Sequence, residues 1–138
     1  MKIGDTIETI GALYRGLRRD PAGTTISVRA RQPLDSIDGY VVGGFGRTFV
    51  AFANEDALSE DIFSDAEGWT QLTRWLRELP DNTSHVGAWL AEGMYYFDVV
   101  QIFTNRHVAL KVAEANGEMA IWDGIKQVEI PVQEPERG

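Results

Sequence analysis

The sequence predicts a single α+β domain, a mainly antiparallel β-sheet with about three helices packed on it. Two observations carry that expectation. Apolar residues recur at helical spacing in three stretches: residues 5–19, from Ser64 to Leu79, and from Thr104 or Asn105 to Asn116. Between them lie alternating or aromatic-rich runs joined by turns of a few residues, which pair strands antiparallel. The expected element order is α-β-ββ-α-ββ-α-ββ, and the simplest architecture for it is a sheet with helices laid on it.

The first helix is expected over residues 5–19. Asp5 and Glu8 have the spacing of a capping box, and Ile7, Ile10, Leu13, Tyr14 and Leu17 fall on one face. Arg15, Arg18 and Arg19 suit the negative end of the helix dipole. Gly11 is the expected point of close approach to another element. Asp20-Pro21-Ala22-Gly23 ends the helix. A strand follows over residues 24–30, with Ile26, Val28 and Ala30 inward and Ser27, Arg29 and Arg31 outward. Residues 32–39 read as a loop. Residues 40–43 and 48–53 read as an apolar hairpin around Gly43-Gly44-Phe45-Gly46.

Residues 55–67 hold six carboxylates and no cation. Ser64 and Glu67 have capping-box spacing, and Trp69, Leu72, Trp75, Leu76 and Leu79 follow at helical spacing until Pro80 stops the helix. Trp69 and Trp75 are expected against the sheet. Residues 86–91 are an apolar strand closed by Glu92-Gly93, a hairpin turn pair. Residues 94–103 follow, with Tyr95, Phe97 and Val99 on one face and Tyr96, Asp98, Val100 and Ile102 on the other. Both faces are largely apolar, so this strand is expected to be central and covered on each side. Val108, Val112 and Ala115 mark the third helix, and Asn116-Gly117 stops it. Residues 119–122 are a short strand, Asp123-Gly124 a two-residue hairpin signal, and residues 125–132 the return strand. Hairpin then helix occurs at 40–79 and again at 86–116, a hint of duplication with little residue identity behind it.

The 138 residues suffice for one core, expected over residues 1–132, with 133–138 as a flexible tail. A composition of 43% hydrophobic and 25% charged residues is that of a folded chain. With no cysteine, disulfides, thiolate metal sites and a cysteine nucleophile are excluded. No apolar run approaches the ~20 residues of a membrane-spanning helix, and the start MKIGDTIE carries no signal-peptide core. A cytoplasmic protein is expected. The net charge of −8 disfavours nucleic acid and anionic membranes as partners.

The candidate sites each have a structural reading beside the functional one. His85 and His107 could form an acid–base pair or a metal site with Asp98, but they lack spaced carboxylate partners, and a structural role is preferred. Residues 43–48 could cradle a phosphate, yet such cradles lead from strand to helix and this one leads into another strand. A hairpin tip carrying Phe45 as an exposed contact anchor is preferred. Arg15, Arg18, Arg19, Arg29 and Arg31 are five of the 13 cations within 17 residues. They could hold phosphate or an acidic partner surface, or pair with the acidic segment at 55–67, which is preferred. That segment, with Glu60 and Asp61, could itself imitate nucleic acid charge or be a solvated loop. Asp98, on an expected central strand, needs a partner; Arg106 or Arg29 would serve. A paired structural carboxylate is preferred over a catalytic one.

The C-terminal half carries Gly87-Ala88-Trp89, Tyr96-Phe97-Asp98-Val99, alanines from Ala109 to Asn116, and Ala120-Ile121-Trp122-Asp123. This pattern resembles small uncharacterised proteins of actinobacterial phages and related mobile elements. It covers about a quarter of the chain and contains no catalytic residue, and Asn105-Arg106-His107 departs from that group's usual acidic helix start. The resemblance implies a phage accessory protein in the host cytoplasm and brings no activity with it. Two readings follow. The first is a non-enzymatic protein without cofactor that binds another protein, of the host or the phage, with Arg15, Arg18, Arg19, Phe45, Glu60 and Asp61 as contact candidates. The second is a small-ligand binder or enzyme with a pocket between sheet and helices lined by Trp89, Tyr95, Tyr96 and Trp122.

Overall fold

Thr6, Thr9, Ile10, Leu13, Gly16 and Leu17 form the buried stripe of the first helix, α1 (Ile3–Arg19). The stripe differs from the one hydrophobicity alone suggests. Ile7 is 60% exposed, while two threonines face inward, with the Thr6 hydroxyl donating to the Lys2 carbonyl at 2.9 Å. The helix starts at Ile3, so Asp5 lies inside its first turn and is not a cap. The glycine that permits close approach is Gly16, not Gly11: a Cβ there would lie 2.2 Å from Thr24 Oγ1.

In this computed structural model, residues 1–52 and 66–132 are described. After α1 come β1 (Gly23–Ser27), β2 (Gln32–Pro33), β3 (Tyr40–Val42), β4 (Phe49–Phe52), α2 (Ala66–Arg77), β5 (His85–Ala91), β6 (Met94–Phe103), α3 (Arg106–Ala115), β7 (Ala120–Asp123) and β8 (Val128–Pro131). The chain is thus an α+β protein with three helices and an antiparallel sheet of eight strands among the described residues. The strand expected over 24–30 stops at Ser27. There the chain turns: the Ser27 carbonyl accepts from the Arg31 amide at 2.9 Å, Arg31 has a φ of 60°, and Ala30 is exposed.

The sheet order is β2-β1-β5-β6-β3-β7-β8, with β4 also paired to β6. β6 is central, as its sequence implies, and its two edges are built differently. One edge pairs with β5 without a break, from His85 opposite Val100 to Ala91 opposite Met94. The Glu92-Gly93 turn that closes this hairpin has positive φ at both residues, 52° and 78°, the twist-matched geometry for a two-residue loop. The other edge takes β3 against residues 101–103 and β4 against residues 94–97. β3 and β4 therefore do not form a hairpin with each other, and the suggested duplication disappears with it.

Two clusters make the core. The larger joins Ile10, Leu13 and Leu17 of α1, Leu72, Trp75 and Leu76 of α2, and Val86, Ala88, Tyr95, Phe97 and Val99 of the sheet. Trp75 reaches the sheet as expected, 6.2 Å from the Phe49 ring, and its indole N–H donates to the Arg47 carbonyl at 2.6 Å. α2 ends at Arg77, and Leu79 is buried just beyond it. Ser64 and the side chains of Glu67 and Trp69 lie outside the described residues.

The smaller cluster joins Val42, Ala109, Ala113, Ile121 and Ile130. α3 turns its alanines to the sheet, where small side chains allow close packing, while Val108 and Ala115 of the expected stripe are exposed. Asn105, and not Thr104, caps this helix by accepting from the Val108 amide at 2.9 Å. The β7–β8 connection is a four-residue turn, not a two-residue one. Asp123 makes it by accepting from the Ile125 and Lys126 amides at 3.0 and 3.1 Å.

β6 is not covered equally on both faces. Alternation puts Trp89 and Tyr96 on the side opposite Phe97, where their rings stack at 5.8 Å and Trp89 is 36% exposed.

Candidate functional site

The interrupted edge of β6 assembles the most unusual group of side chains. Strand pairing there jumps from Gln101, opposite Val42, to Phe97, opposite Phe49. Among the described residues no strand faces 98–100 on that side, because residues 43–48 leave the sheet and return. A buried β6 backbone needs its polar groups satisfied by other means. Asp98 supplies one. Its Oδ1 accepts from the Val99 amide at 2.9 Å and its Oδ2 from the Gly44 amide at 2.8 Å. The Val99 carbonyl in turn accepts from the Phe45 amide at 3.4 Å. One carboxylate thus stands in for the missing stretch of strand.

Asp98 is 1% exposed and is held by backbone N–H groups, so neither Arg106 nor Arg29 is its partner. Burial raises its proton affinity, and the amides of Gly44 and Val99 oppose that rise. The glycine-rich loop gives one amide, that of Gly44, to the protein's own Asp98. Gly44 has a φ of 86°, which favours glycine there.

A second carboxylate arrives from the end of α3. Asn116-Gly117 stops the helix in a Schellman arrangement: the Gly117 amide donates to the Glu114 carbonyl at 3.1 Å and the Glu118 amide to the Ala113 carbonyl at 2.9 Å. This fixes Glu118 directly after the turn. Asn116 meanwhile donates its side-chain amide to the Gly43 carbonyl at 2.9 Å. The position a Gly43 Cβ would take lies 2.7 Å from Asp98 Oδ2 and 3.0 Å from Glu118 Oε1, so both carboxylates converge on Gly43. Burial raises the proton affinity of Glu118, and the nearby Asp98 charge raises it further. Among the described residues neither carboxylate has an ion-pair partner.

Beside this junction lies a cleft of about 200 Å³ lined by Phe45, Gly46, Leu79, Thr83, Val99 and Gln101, among others. Phe45 is half-buried rather than an exposed anchor, because it packs against both core clusters and stacks on Phe103 at 6.4 Å. It is the hinge pin of the crossing.

The remaining candidates are dispersed. His85 opens β5, half-buried, with Nδ1 3.0 Å from Ser84 Oγ, and burial lowers its proton affinity. His107 is exposed on α3. Among the described residues no three His, Asp or Glu side chains are grouped to hold a metal. The arginines are exposed but engaged locally: Arg19 with Asp35, Arg31 with Asp5 at 3.5 Å, Arg15 with the Arg31 carbonyl at 3.1 Å, and Arg18 with the Tyr14 hydroxyl at 2.8 Å. Among the described residues their acidic partners are Asp5 and Asp35, and residues 55–65 of the acidic segment lie outside the described residues. Glu60 and Asp61 lie outside the described residues. The four aromatics expected to share a pocket are apart: Tyr95 is in the core, Trp89 and Tyr96 stack on the opposite face, and Trp122 is on β7.

Glu118 was not singled out in the sequence, where Asn116 reads only as a helix stop and Gly44 only as part of a hairpin tip. The Asn-Gly helix stop is a local signal for where Glu118 begins. Nothing local ties it to Gly43, more than 70 residues earlier. No protein family matches the chain, and no curated protein or solved structure does either.

Proposed function

We propose that this chain is a non-enzymatic binding protein that works by contacting another protein. The observation that carries the reading is the stacked Trp89–Tyr96 pair. The rings lie 5.8 Å apart and 11° from parallel, and Trp89 is 36% exposed. Val50, directly opposite Tyr96 in the ladder, is 40% exposed and extends the same row across the sheet. Tryptophan and tyrosine dominate the binding energy of protein interfaces, since they bury large rigid areas at little cost in side-chain entropy. Among the described residues, α1 and α2 pack in the cluster of Phe97, on the other face of β6. The resemblance to actinobacterial phage proteins supports a phage accessory role, with a host protein in the host cytoplasm as the partner. Arg15, Arg18 and Arg19 remain exposed but have internal partners, which makes them the weaker contact candidates.

The test is affinity purification of the tagged chain from an actinobacterial host lysate, run beside the Trp89→Ala/Tyr96→Ala double variant. The expected result is one dominant partner, retained at high salt and lost from the folded double variant. A wild-type chain that returns nothing above background, or a partner kept equally by the variant, would contradict the reading.

A second reading has one observation in its favour, the Asp98–Glu118 pair, although the cleft is lined by its neighbours Phe45 and Val99 and by neither carboxylate. Paired carboxylates of raised proton affinity suit acid–base chemistry. A cleft of about 200 Å³ is below the ~300 Å³ at which small-molecule sites begin, so a ligand there would have few atoms. A fragment screen read by amide shifts of Phe45 and Gly46 separates the two readings.

A further inference from the structure

The two carboxylates at Gly43 differ in their hydrogen bonding. Both oxygens of Asp98 accept backbone N–H groups, an arrangement suited to an ionised carboxylate. Glu118 accepts none of the crossing's amides, and its Oε1 and Oε2 face the positions of Gly43 and Gly44. We propose that Glu118 holds a proton that it shares with Asp98, and that this acid–carboxylate pair fastens the crossing at residues 43–48, with Phe45, onto β6. The proton sits on a Glu118 oxygen and is directed to Asp98 Oδ2. When it leaves to water, two negative charges face each other across Gly43, and the crossing loosens.

The surrounding charges do not offset that repulsion. On the crossing the nearest ionised residue is Arg47, which is directed to Glu78 at 3.8 Å. On β5, Gly87 stands opposite Asp98, and the next ionisable residue is His85, bound to Ser84. On α3 and its cap the neighbours are the uncharged Asn116 and the exposed Glu114. Asp98 follows the uncharged Tyr96 and Phe97 on β6 itself. The consequence reaches further than one loop. Phe45 belongs to both core clusters, and with Gly46 it lines the cleft. Release of the proton therefore uncouples the two halves of the core and opens the cleft wall. The fastening is complete while the pair holds one proton, and it is lost as pH rises above the ordinary carboxylate range and that proton leaves.

A pH series of side-chain carboxyl and backbone amide NMR on the full chain tests this. The expected result is a coupled titration of Asp98 and Glu118 with its upper midpoint displaced above the ordinary carboxylate range. The Gly44 and Phe45 amides should follow that midpoint, while Trp89 and Tyr96, whose amides face each other's strand in the continuous ladder, stay unchanged. Glu118→Gln, which keeps a hydrogen-bond donor and removes the charge, should abolish the upper midpoint at Gly44 and Phe45 and leave only the lower step of Asp98 itself. An ordinary Glu118 titration, flat Gly44 and Phe45 signals, or a wild-type response retained in E118Q would each overturn the proposal. Should E118Q fail to fold, the wild-type carboxyl and amide titrations decide alone.

Discussion

The two edges of β6 solve the same problem in different ways. Toward β5 the ladder is continuous over seven residue pairs and is closed by a turn of adjacent residues. Toward β3 and β4 it is broken, and Asp98 with the amides of Gly44 and Val99 closes the gap. The first edge is local and held by backbone pairing alone. The second depends on a buried carboxylate, a positive-φ glycine and a residue from the end of another helix. Strand pairing gives a central strand its stability, and the side-chain substitute gives it a point that can respond to conditions.

Substitutions can break or sharpen this contrast. Phe97→Ala should have the largest effect. Its ring is fully buried against Phe49, Trp75 and Tyr95, and its loss should cost about 3–5 kcal/mol in a urea titration. Both edges fail together in that variant. Asp98→Ala acts on one edge alone. It leaves the amides of Gly44 and Val99 without their acceptor, and a loss of about 2–3 kcal/mol is expected by the same titration. Asp98→Asn, which keeps one acceptor oxygen, should cost less.

Two glycines of the same hand give a finer comparison. Gly93 in the β5–β6 turn has a φ of 78° with nothing within 4 Å of an added Cβ. Replacing it with alanine should cost about 1 kcal/mol, the left-handed penalty alone. Gly44 has a φ of 86°, and its Cβ would meet Asn116 Cβ and Glu118 Oε2 at 2.9 Å. Gly44→Ala should therefore cost measurably more than Gly93→Ala in thermal unfolding. The smallest effect is expected from Glu118→Gln. The folded chain holds the Glu118 proton more tightly than the unfolded chain does, so the wild type loses that contribution as pH rises through the raised value. E118Q should melt higher than wild type at neutral pH, with the difference vanishing in acid.

The continuous edge was legible in the sequence because its signals are adjacent. Glu92-Gly93, the alternation through residues 94–103 and the aromatic content of β6 lie within one window, and they yield the strand, its register and its central place. The broken edge was not. Gly43-Gly44-Phe45-Gly46 has the composition of a hairpin tip, and composition cannot reveal that the flanking runs pair with a third strand some 50 residues on. Asp98 was recognisable as a carboxylate needing a partner, but the partner turned out to be backbone, which every residue carries. The α1 stripe misled at Ile7 for a related reason. Thr6 and Thr9 bury by bonding to groups nearby in the fold, and hydrophobic spacing does not register that.

Native-state amide hydrogen exchange tests the contrast between the two edges most directly. Exchange at Gly44 and Phe45 should proceed through an opening well below the free energy of global unfolding, and this opening should become easier as pH rises after correction for the intrinsic rate. The β5–β6 ladder, read at Trp89, Tyr96 and Val100, should exchange only through global unfolding. Equal protection of the crossing and the ladder at every pH would contradict the account.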